Sequence, residues 1–395
     1  ELEKICLDFL GKESALRFCQ PPGETPRSYG FLLIPLSGLA QGLLRIQNRL
    51  AAALGPLAEE APGEKPGGLV YEARMILHRL GELVSISEAF QIWEERPEDI
   101  FWMERKRTRR GEEYLRLAIA PLDTRDIMRR AVFEPYKTVI CTSATLSVKD
   151  SFEYWARSAG LSGWEEREVR FLRFPSPFPY RQNVLLGVPT DAPSPEERGF
   201  SPFLGEMILK SLSLSGGHGL VLFTSYSQLQ ETFAQIHPAL EDLRIPLLKQ
   251  GDDERTRLLE AFRRSSESVL FATSSFWEGV DAPGESLQMV IICRLPFQAP
   301  TDPVLSARAE ALERRGGQPF WELSLPEAVM RLKQGFGRLM RSSTDRGVVL
   351  ILDPRVIRKA YGGIFLESLP ETRRSLKESS RLLGDIEGFL FESRG

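Results

Sequence analysis

The densest chemistry in the chain lies in Gln334-Gly335-Phe336-Gly337-Arg338-Leu339-Met340-Arg341. It places a carboxamide and two guanidiniums close together, with Arg331 just upstream. A guanidinium grips phosphate oxygens through a planar fork of N–H donors, which an ammonium cannot imitate. If Glu327–Arg341 is one helix, a rotation of about 100° per residue puts Arg331, Gln334, Arg338 and Arg341 on one face. Val329, Leu332, Phe336 and Leu339 then form the opposite face, which would pack on a sheet. Gly335 and Gly337 each cost such a helix about 1 kcal/mol relative to alanine, a cost that fits close approach of another group to the backbone. A solvated basic helix would carry the same charges, so the glycines and the spacing of the Gln/Arg/Arg set give the segment its meaning.

Three further segments carry hydroxyls. They are Thr142-Ser143-Ala144-Thr145-Leu146, Thr224-Ser225-Tyr226, and the longer Thr273-Ser274-Ser275-Phe276-Trp277-Glu278-Gly279-Val280-Asp281. Each follows a short apolar run: Thr138–Cys141, Gly219–Phe223 and Val269–Ala272. Hydroxyls and unpaired backbone N–H groups at strand ends suit phosphate. Serine and threonine at such places are equally ordinary helix N-caps, and for any single loop both roles stay open.

These segments need a scaffold, and the pattern from Lys137 onward supplies one. Apolar runs recur at Thr138–Cys141, Val184–Val188, Gly219–Phe223, Val269–Ala272, Gln288–Cys293 and Gly347–Leu352, mostly separated by amphipathic stretches of helix length. Continuous apolar strands alternating with helices predict a parallel sheet covered on both faces, an α/β domain whose ligands sit at the carboxyl ends of the strands. Residues 1–135 read differently. Leu36–Glu60 and Leu69–Glu95 show helical spacing on either side of a Gly/Pro-rich link at 61–68, which predicts an antiparallel helical hairpin. Two strand-like runs follow, Ile100–Lys106 and Tyr114–Pro121, then a short helix, Thr124–Glu134.

Bulk properties narrow the class. A chain of 395 residues fits two or three domains at roughly 100–200 residues each. Apolar residues at 42% and charged residues at 27% are ordinary for a globular protein with a large core. The net charge of −3 advertises no polyanion partner, yet a basic groove needs no basic total. Arg105–Arg110, Arg125, Arg129 and Arg130 are local basic clusters that read as a solvated turn and helix face. Cys6, Cys19, Cys141 and Cys293 show no Cys-x-x-Cys spacing and read as reduced, buried thiols of a cytoplasmic protein. His78, His218 and His237 form no metal-spaced set, so no metal site is expected. No apolar stretch is long enough to span a membrane, and no signal peptide is evident.

In order, these segments resemble the C-terminal motifs of superfamily 2 helicases of the DinG/XPD family. Thr142–Leu146 is similar to motif III, which closes the first motor domain. Leu222-Phe223-Thr224-Ser225-Tyr226 is similar to motif IV, with Gln250-Gly251 just after it. Phe276–Asp281 is similar to motif V, and Gln334–Arg341 to motif VI. Arg294-Leu295-Pro296-Phe297 with Asp302-Pro303 also resembles the family. The resemblance covers about residues 137–365, while residues 1–135 fit by position the helical arch that precedes motif III. It implies an arch-like domain over 1–135 with a β-hairpin, the end of a first motor domain over 136–150, and a second RecA-like domain over 151–395.

The resemblance also implies roles. Arg338 and Arg341 would be arginine fingers and Gln334 a sensor of the γ-phosphate or attacking water. Glu278, Gly279 and Asp281 would serve the nucleotide. Thr224, Ser225, Tyr226, Gln250 and Thr273 would contact single-stranded DNA, and Thr142, Ser143 and Thr145 would couple the two. The parent would be an ATP-dependent 5′–3′ DNA helicase acting in DNA repair as a monomer. No Gly-x-x-x-x-Gly-Lys-[Ser/Thr], no Asp-Glu-Ala-His and no iron–sulfur cysteine set occurs. ATP and Mg²⁺ would therefore be held mainly by a first motor domain outside this chain, and an iron–sulfur cluster, if the parent has one, would lie there too. The chain, which begins at Glu1, is then expected to start just past the Asp-Glu-Ala-His motif and not to hydrolyse ATP alone. Two other readings fit the same residues: a standalone, non-catalytic nucleic-acid-binding half-motor, and an unrelated α/β enzyme that would bind no nucleic acid.

Overall fold

A computed structural model describes residues 2–19, 29–60, 68–107, 111–273, 276 and 287–392. They form two compact units, one of residues 1–123 with 300–311, the other of 124–299 with 312–395. The division falls after Asp123, where sequence reading sets it at 135. Segment 300–311 joins the first unit through side chains: Arg17 forks onto Glu310 at 2.5 and 2.7 Å, and Arg308 Nε donates to the Leu122 carbonyl at 3.2 Å.

The first unit pairs a helical hairpin with a small antiparallel sheet. The hairpin helices span Gly30–Glu60 and Leu69–Gln91. The first begins before Pro35 instead of after it. A proline inside a helix forfeits one hydrogen bond, and burial of Leu32, Leu36 and Ala40 offsets that loss. Glutamines cross-tie the hairpin: Gln91 Nε2 donates to the Leu33 carbonyl at 2.7 Å and Gln47 Nε2 to that of Leu77 at 3.3 Å. The sheet runs β1 (Ala15–Arg17), β2 (Asp99–Arg107), β3 (Glu113–Pro121), with Leu16 opposite Met103 and Met103 opposite Leu117. Phe18, Tyr29, Phe90 and Phe101 fill the space between sheet and helices.

The second unit is a doubly covered parallel sheet of seven strands. They are β4 (Val184–Pro189), β5 (Gly219–Leu222), β6 (Leu247–Lys249), β7 (Val269–Ala272), β8 (Met289–Ile292), β9 (Gly347–Ile351) and β10 (Arg373–Lys377), in the order β10-β4-β9-β8-β5-β7-β6. Every pairing is parallel. Alternate residues of the central strands feed two cores. Leu220, Leu222, Val290 and Ile292 face Leu332 and Phe336, while Val221, Ile291 and Val348 face Leu204, Ile208 and Leu212. Burial on both faces is why five of these strands read as unbroken apolar runs.

One predicted strand is not there. Thr138–Cys141 has no regular structure, and Ile140 is 84% exposed. The run has strand composition, but among the described residues no strand pairs with it, and an extended segment without a ladder is not a strand. Cys141 is accordingly exposed and Cys19 half-buried, whereas Cys6 and Cys293 are buried as expected. All four are free thiols, and burial pushes the Cys293 thiol well above its ordinary value. The Thr124–Glu134 helix appears as Arg125–Met128 running into a π-helical turn, Arg129–Phe133. No helix of the described residues is long and apolar enough to cross a membrane.

Candidate functional site

The carboxyl ends of β5, β7 and β6 lie side by side, because Leu222 pairs with Ala272 and Lys249 with Phe271. The ladder runs one residue further on each side: Phe223 N–H donates to the Ala272 carbonyl and Gln250 N–H to that of Phe271, both at 2.9 Å. Thr224, Gln250 and Thr273 therefore emerge together. Gln250 Oε1 accepts from both the Thr273 backbone N–H (2.7 Å) and its hydroxyl (2.9 Å). Tyr226 is 42% exposed. Its hydroxyl overhangs Gly251, where the backbone takes φ +103° and an added Cβ would lie 2.3 Å from the phenol oxygen. The backbone conformation favours glycine there, and any Cβ would have to displace the Tyr226 ring. Ser225 caps the Tyr226–Asp242 helix, accepting from the Gln228 N–H at 3.3 Å. Three segments far apart in sequence, 224–226, 250 and 273, thus bring hydroxyls, a carboxamide and the Tyr226 ring to one edge of the sheet.

Thr142, Ser143 and Thr145 lie in an irregular, largely exposed loop. Ser143 Oγ is 3.2 Å from Thr145 Oγ1 and accepts from the Thr145 N–H at 3.2 Å. Just beyond it, Lys333 Nζ donates to the Ser147 carbonyl at 2.7 Å.

The Gln/Arg segment departs from the expected geometry. The helix spans Leu325–Phe336 and is capped at Gly337, so Arg338 and Arg341 lie beyond it in a turn. Two glycines in three residues remove the propensity that would carry the helix on. The N–H groups switch from a helical bond, Gly337 to the Lys333 carbonyl, to tighter ones, Arg338 to Gly335 and Leu339 to Phe336. The apolar side is as expected: Val329, Leu332, Phe336 and Leu339 are all buried. Asp345, buried, holds the far end of the turn by accepting from the Arg341 N–H (2.5 Å), the Ser342 N–H (2.8 Å) and the Ser342 hydroxyl (2.5 Å). Gln334 and Arg338 are half-buried and Arg341 is exposed. Tyr180 packs on Phe336 with centroids 5.6 Å apart. Burial pushes its phenol up, while the Ser176 hydroxyl and the Arg341 charge pull it down. Arg331 is otherwise occupied: it meets Glu327 at 3.7 Å and the Pro296 carbonyl at 3.5 Å, and it donates to the Gln298 amide. Glu278, Gly279 and Asp281 lie outside the described residues. Phe276, next to them, is buried beneath Arg255.

Sequence reasoning missed Lys333, Asp345 and the pair Asp353–Arg355. Asp353 is wholly buried past the end of β9. It accepts from the Leu295 N–H at 2.9 Å and takes Arg355 in a fork at 2.7–3.1 Å, which fixes the loop after β8 to the end of β9. The Asp-Pro-Arg spacing was the available signal; its partner at Leu295 depends on strand order. Among the described residues no three His, Cys, Asp or Glu side chains gather as a metal site.

A seven-stranded parallel sheet covered by helices on both faces is a RecA-like α/β fold. Residues 208–372 match the helicase C-terminal domain family. The chain is similar to the C-terminal portion of superfamily 2 helicases of the DinG/XPD family. It is 38% identical over 259 residues to the ATP-dependent DNA helicase YoaA of Escherichia coli, a match covering 66% of this chain and 40% of that protein. It is 35% identical over 274 residues to the 3′-5′ exonuclease DinG of Bacillus subtilis, covering 68% of this chain and 29% of that one. These relatives are much longer than the stretch they share with this chain. A solved XPD helicase shares the fold at a TM-score of 0.51 and 15% identity, over 94% of this chain and 67% of the other.

Proposed function

We propose that this chain is the second-motor half of an ATP-dependent 5′–3′ DNA helicase of the DinG/XPD type. In this reading Thr224, Ser225, Tyr226, Gln250 and Thr273 track the backbone of single-stranded DNA. Arg338 and Arg341 are the arginine fingers and Gln334 faces the γ-phosphate or the attacking water. Thr142, Ser143 and Thr145 link cleft and strand, and Glu278, Gly279 and Asp281 assist at the nucleotide. The observation that carries the reading is the row of Thr224, Tyr226, Gln250 and Thr273 at the carboxyl edge of the sheet. Hydroxyls, amides and a ring in line suit a phosphate backbone with stacked bases.

The donors present fit part of a nucleotide site. The guanidiniums of the turn after Phe336 suit phosphate oxygens. Mg²⁺ and the phosphate cradle would come from a first motor domain. Tyr136, Ile140, Leu172 and Phe174 are large apolar side chains left exposed, as residues covered by an adjoining module would be. Bound ATP and Mg²⁺ supply the phosphoryl group and the charge that polarises it; this chain's part is to place positive charge opposite that group.

The test is binding of a fluorescent oligo-dT by residues 1–395, titrated against salt. Log affinity should fall with log salt by about 0.7 for each phosphate neutralised. The chain alone should not turn over ATP. Absence of any salt-dependent oligonucleotide binding, or robust ATP turnover without another module, would sink the reading.

A further inference from the structure

Lys333 stands at a junction of the two chemical segments. Its backbone carbonyl accepts the last helical hydrogen bond, from Gly337 N–H at 2.9 Å, so it closes the turn on which Gln334 and Arg338 ride. Its side chain points elsewhere: Nζ donates to the Ser147 carbonyl at 2.7 Å and lies 3.5 Å from the Ser147 hydroxyl. Ser147 is two residues past Thr145, the end of the hydroxyl loop. The chain leaving that loop is held again at once. Val148 packs against the sheet core, Lys149 N–H donates to Ser368 Oγ at 2.8 Å, and Lys149 Nζ pairs with Glu367 at 2.7 Å.

The position is unfavourable for a cation. Burial, with the Arg173 guanidinium nearby, pushes the Lys333 ammonium below its ordinary value. An apolar side chain would fill the same helical position without that desolvation cost. What the charge gains is one carbonyl of the segment that leads back to Thr142–Thr145. The helix end it controls is weak, since Gly335 and Gly337 give the last turn little propensity of its own. A pull on Lys333 is therefore delivered to the least rigid part of the helix.

We propose that Lys333 is a positioning residue that couples the Thr142–Thr145 loop to the Gln334–Arg341 turn, so that movement of one shifts the other. This rests on the motor reading above, in which the loop faces the strand and the turn faces the nucleotide.

Amide hydrogen exchange on residues 1–395 tests the coupling directly, using K333M, which keeps the length without the charge, and K333R, which keeps a donor. K333M should speed exchange at Leu146–Lys149 and, together with it, at Gly337–Leu339, each by about tenfold, as loss of a charged hydrogen bond allows. The central strands β5, β8 and β9 should stay protected, and K333R should stay near the original rates. A merely local role would loosen 146–149 and leave 337–339 untouched, and that result overturns the proposal, as does no change at either place. In a protein carrying this chain with a phosphate-binding module, the ratio of DNA-stimulated to unstimulated ATP turnover should fall about tenfold in K333M and recover in K333R; an unaltered ratio counts against coupling. If the unmutated protein shows no DNA-stimulated turnover, it is the motor reading that fails, and the exchange result still judges the coupling.

Discussion

Replacing Gly251 by alanine probes the strand-end row through a single methyl group. The new Cβ would sit 2.3 Å from the Tyr226 hydroxyl oxygen and 3.2 Å from Cζ, so either the ring or the backbone must yield. The backbone is pinned. Gln250 N–H is bonded to the Phe271 carbonyl, its side chain holds Thr273, and Asp252 N–H is bonded to the Lys249 carbonyl. Tyr226, 42% exposed, has room to turn outward, so the ring yields. The cost in stability is then mainly that of an L-residue at φ +103°, about 1–3 kcal/mol. The cost in binding is that of a lost stacking platform, about 1–3 kcal/mol per base, or roughly 5- to 150-fold in affinity. Urea unfolding and oligo-dT anisotropy at fixed salt separate the two. Tyr226→Phe removes the nearest colliding atom and leaves Cζ at 3.2 Å and Cε2 at 3.6 Å. Gly251→Ala in that background should lose the same stability but little further affinity. If Gly251→Ala binds like the unmutated chain, or if its affinity loss is undiminished beside Tyr226→Phe, the placement of Tyr226 on the nucleic-acid track is wrong.

Other substitutions address the remaining parts. Arg338→Ala in a protein bearing both motor modules should lower ATP turnover by about 10³ or more, as loss of an arginine finger does; steady-state phosphate release measures it, and unchanged turnover refutes the role. Asp353→Ala leaves the buried Leu295 N–H without its acceptor and the Arg355 guanidinium with only the longer Glu196 contact at 3.5 Å, and should cost about 3–5 kcal/mol in denaturant unfolding. Asp385 is held below the usual carboxyl range, first by Lys377 at 2.8–3.0 Å and then by the Ser375 hydroxyl at 2.5 Å. A depressed folded pKa stabilises above the unfolded value, about 3.9, and that contribution is lost as pH falls through the folded one. The stability gap between the unmutated chain and Asp385→Asn should therefore be full at neutral pH and close below about pH 4, as followed by thermal melting across an acid series.

What could be read in advance followed from burial. β4, β5, β7, β8 and β9 are apolar on both faces, and a chain of such runs between amphipathic stretches is legible as a covered parallel sheet. β10, Arg373-Arg374-Ser375-Leu376-Lys377, is an edge strand with one buried side chain, Ser375, and reads as a polar loop. β6 is three residues long and half-buried. The hydroxyls at strand ends were legible as a set; that Gln250 would hold Thr273 was not, because it depends on β6 lying beside β7. The amphipathic pattern of Val329 to Leu339 gave the correct buried side, yet it continues past the point where the helix stops. Periodicity reports which side chains face inward, and Leu339 and Met340 still do so from a turn. Thr138–Cys141 shows the converse: strand composition is local, but a strand is a relation between two segments.

The order β10-β4-β9-β8-β5-β7-β6 has a bearing on how the polypeptide leaves the ribosome. β4 is the first strand of the sheet to be made, and both its neighbours, β9 and β10, are the last. A segment apolar on both faces must wait, unpaired, until Ile351 has been synthesised. The β5–β7–β6 half can assemble meanwhile, since its pairings close within residues 219–272. Synthesis at about 5–20 residues per second leaves Val184–Pro189 exposed for several seconds or more, long enough for a chaperone to matter. Truncations ending between β8 and β9 should therefore leave Val184–Pro189 with neither neighbour and available to a chaperone, while β5, β6 and β7 are already paired.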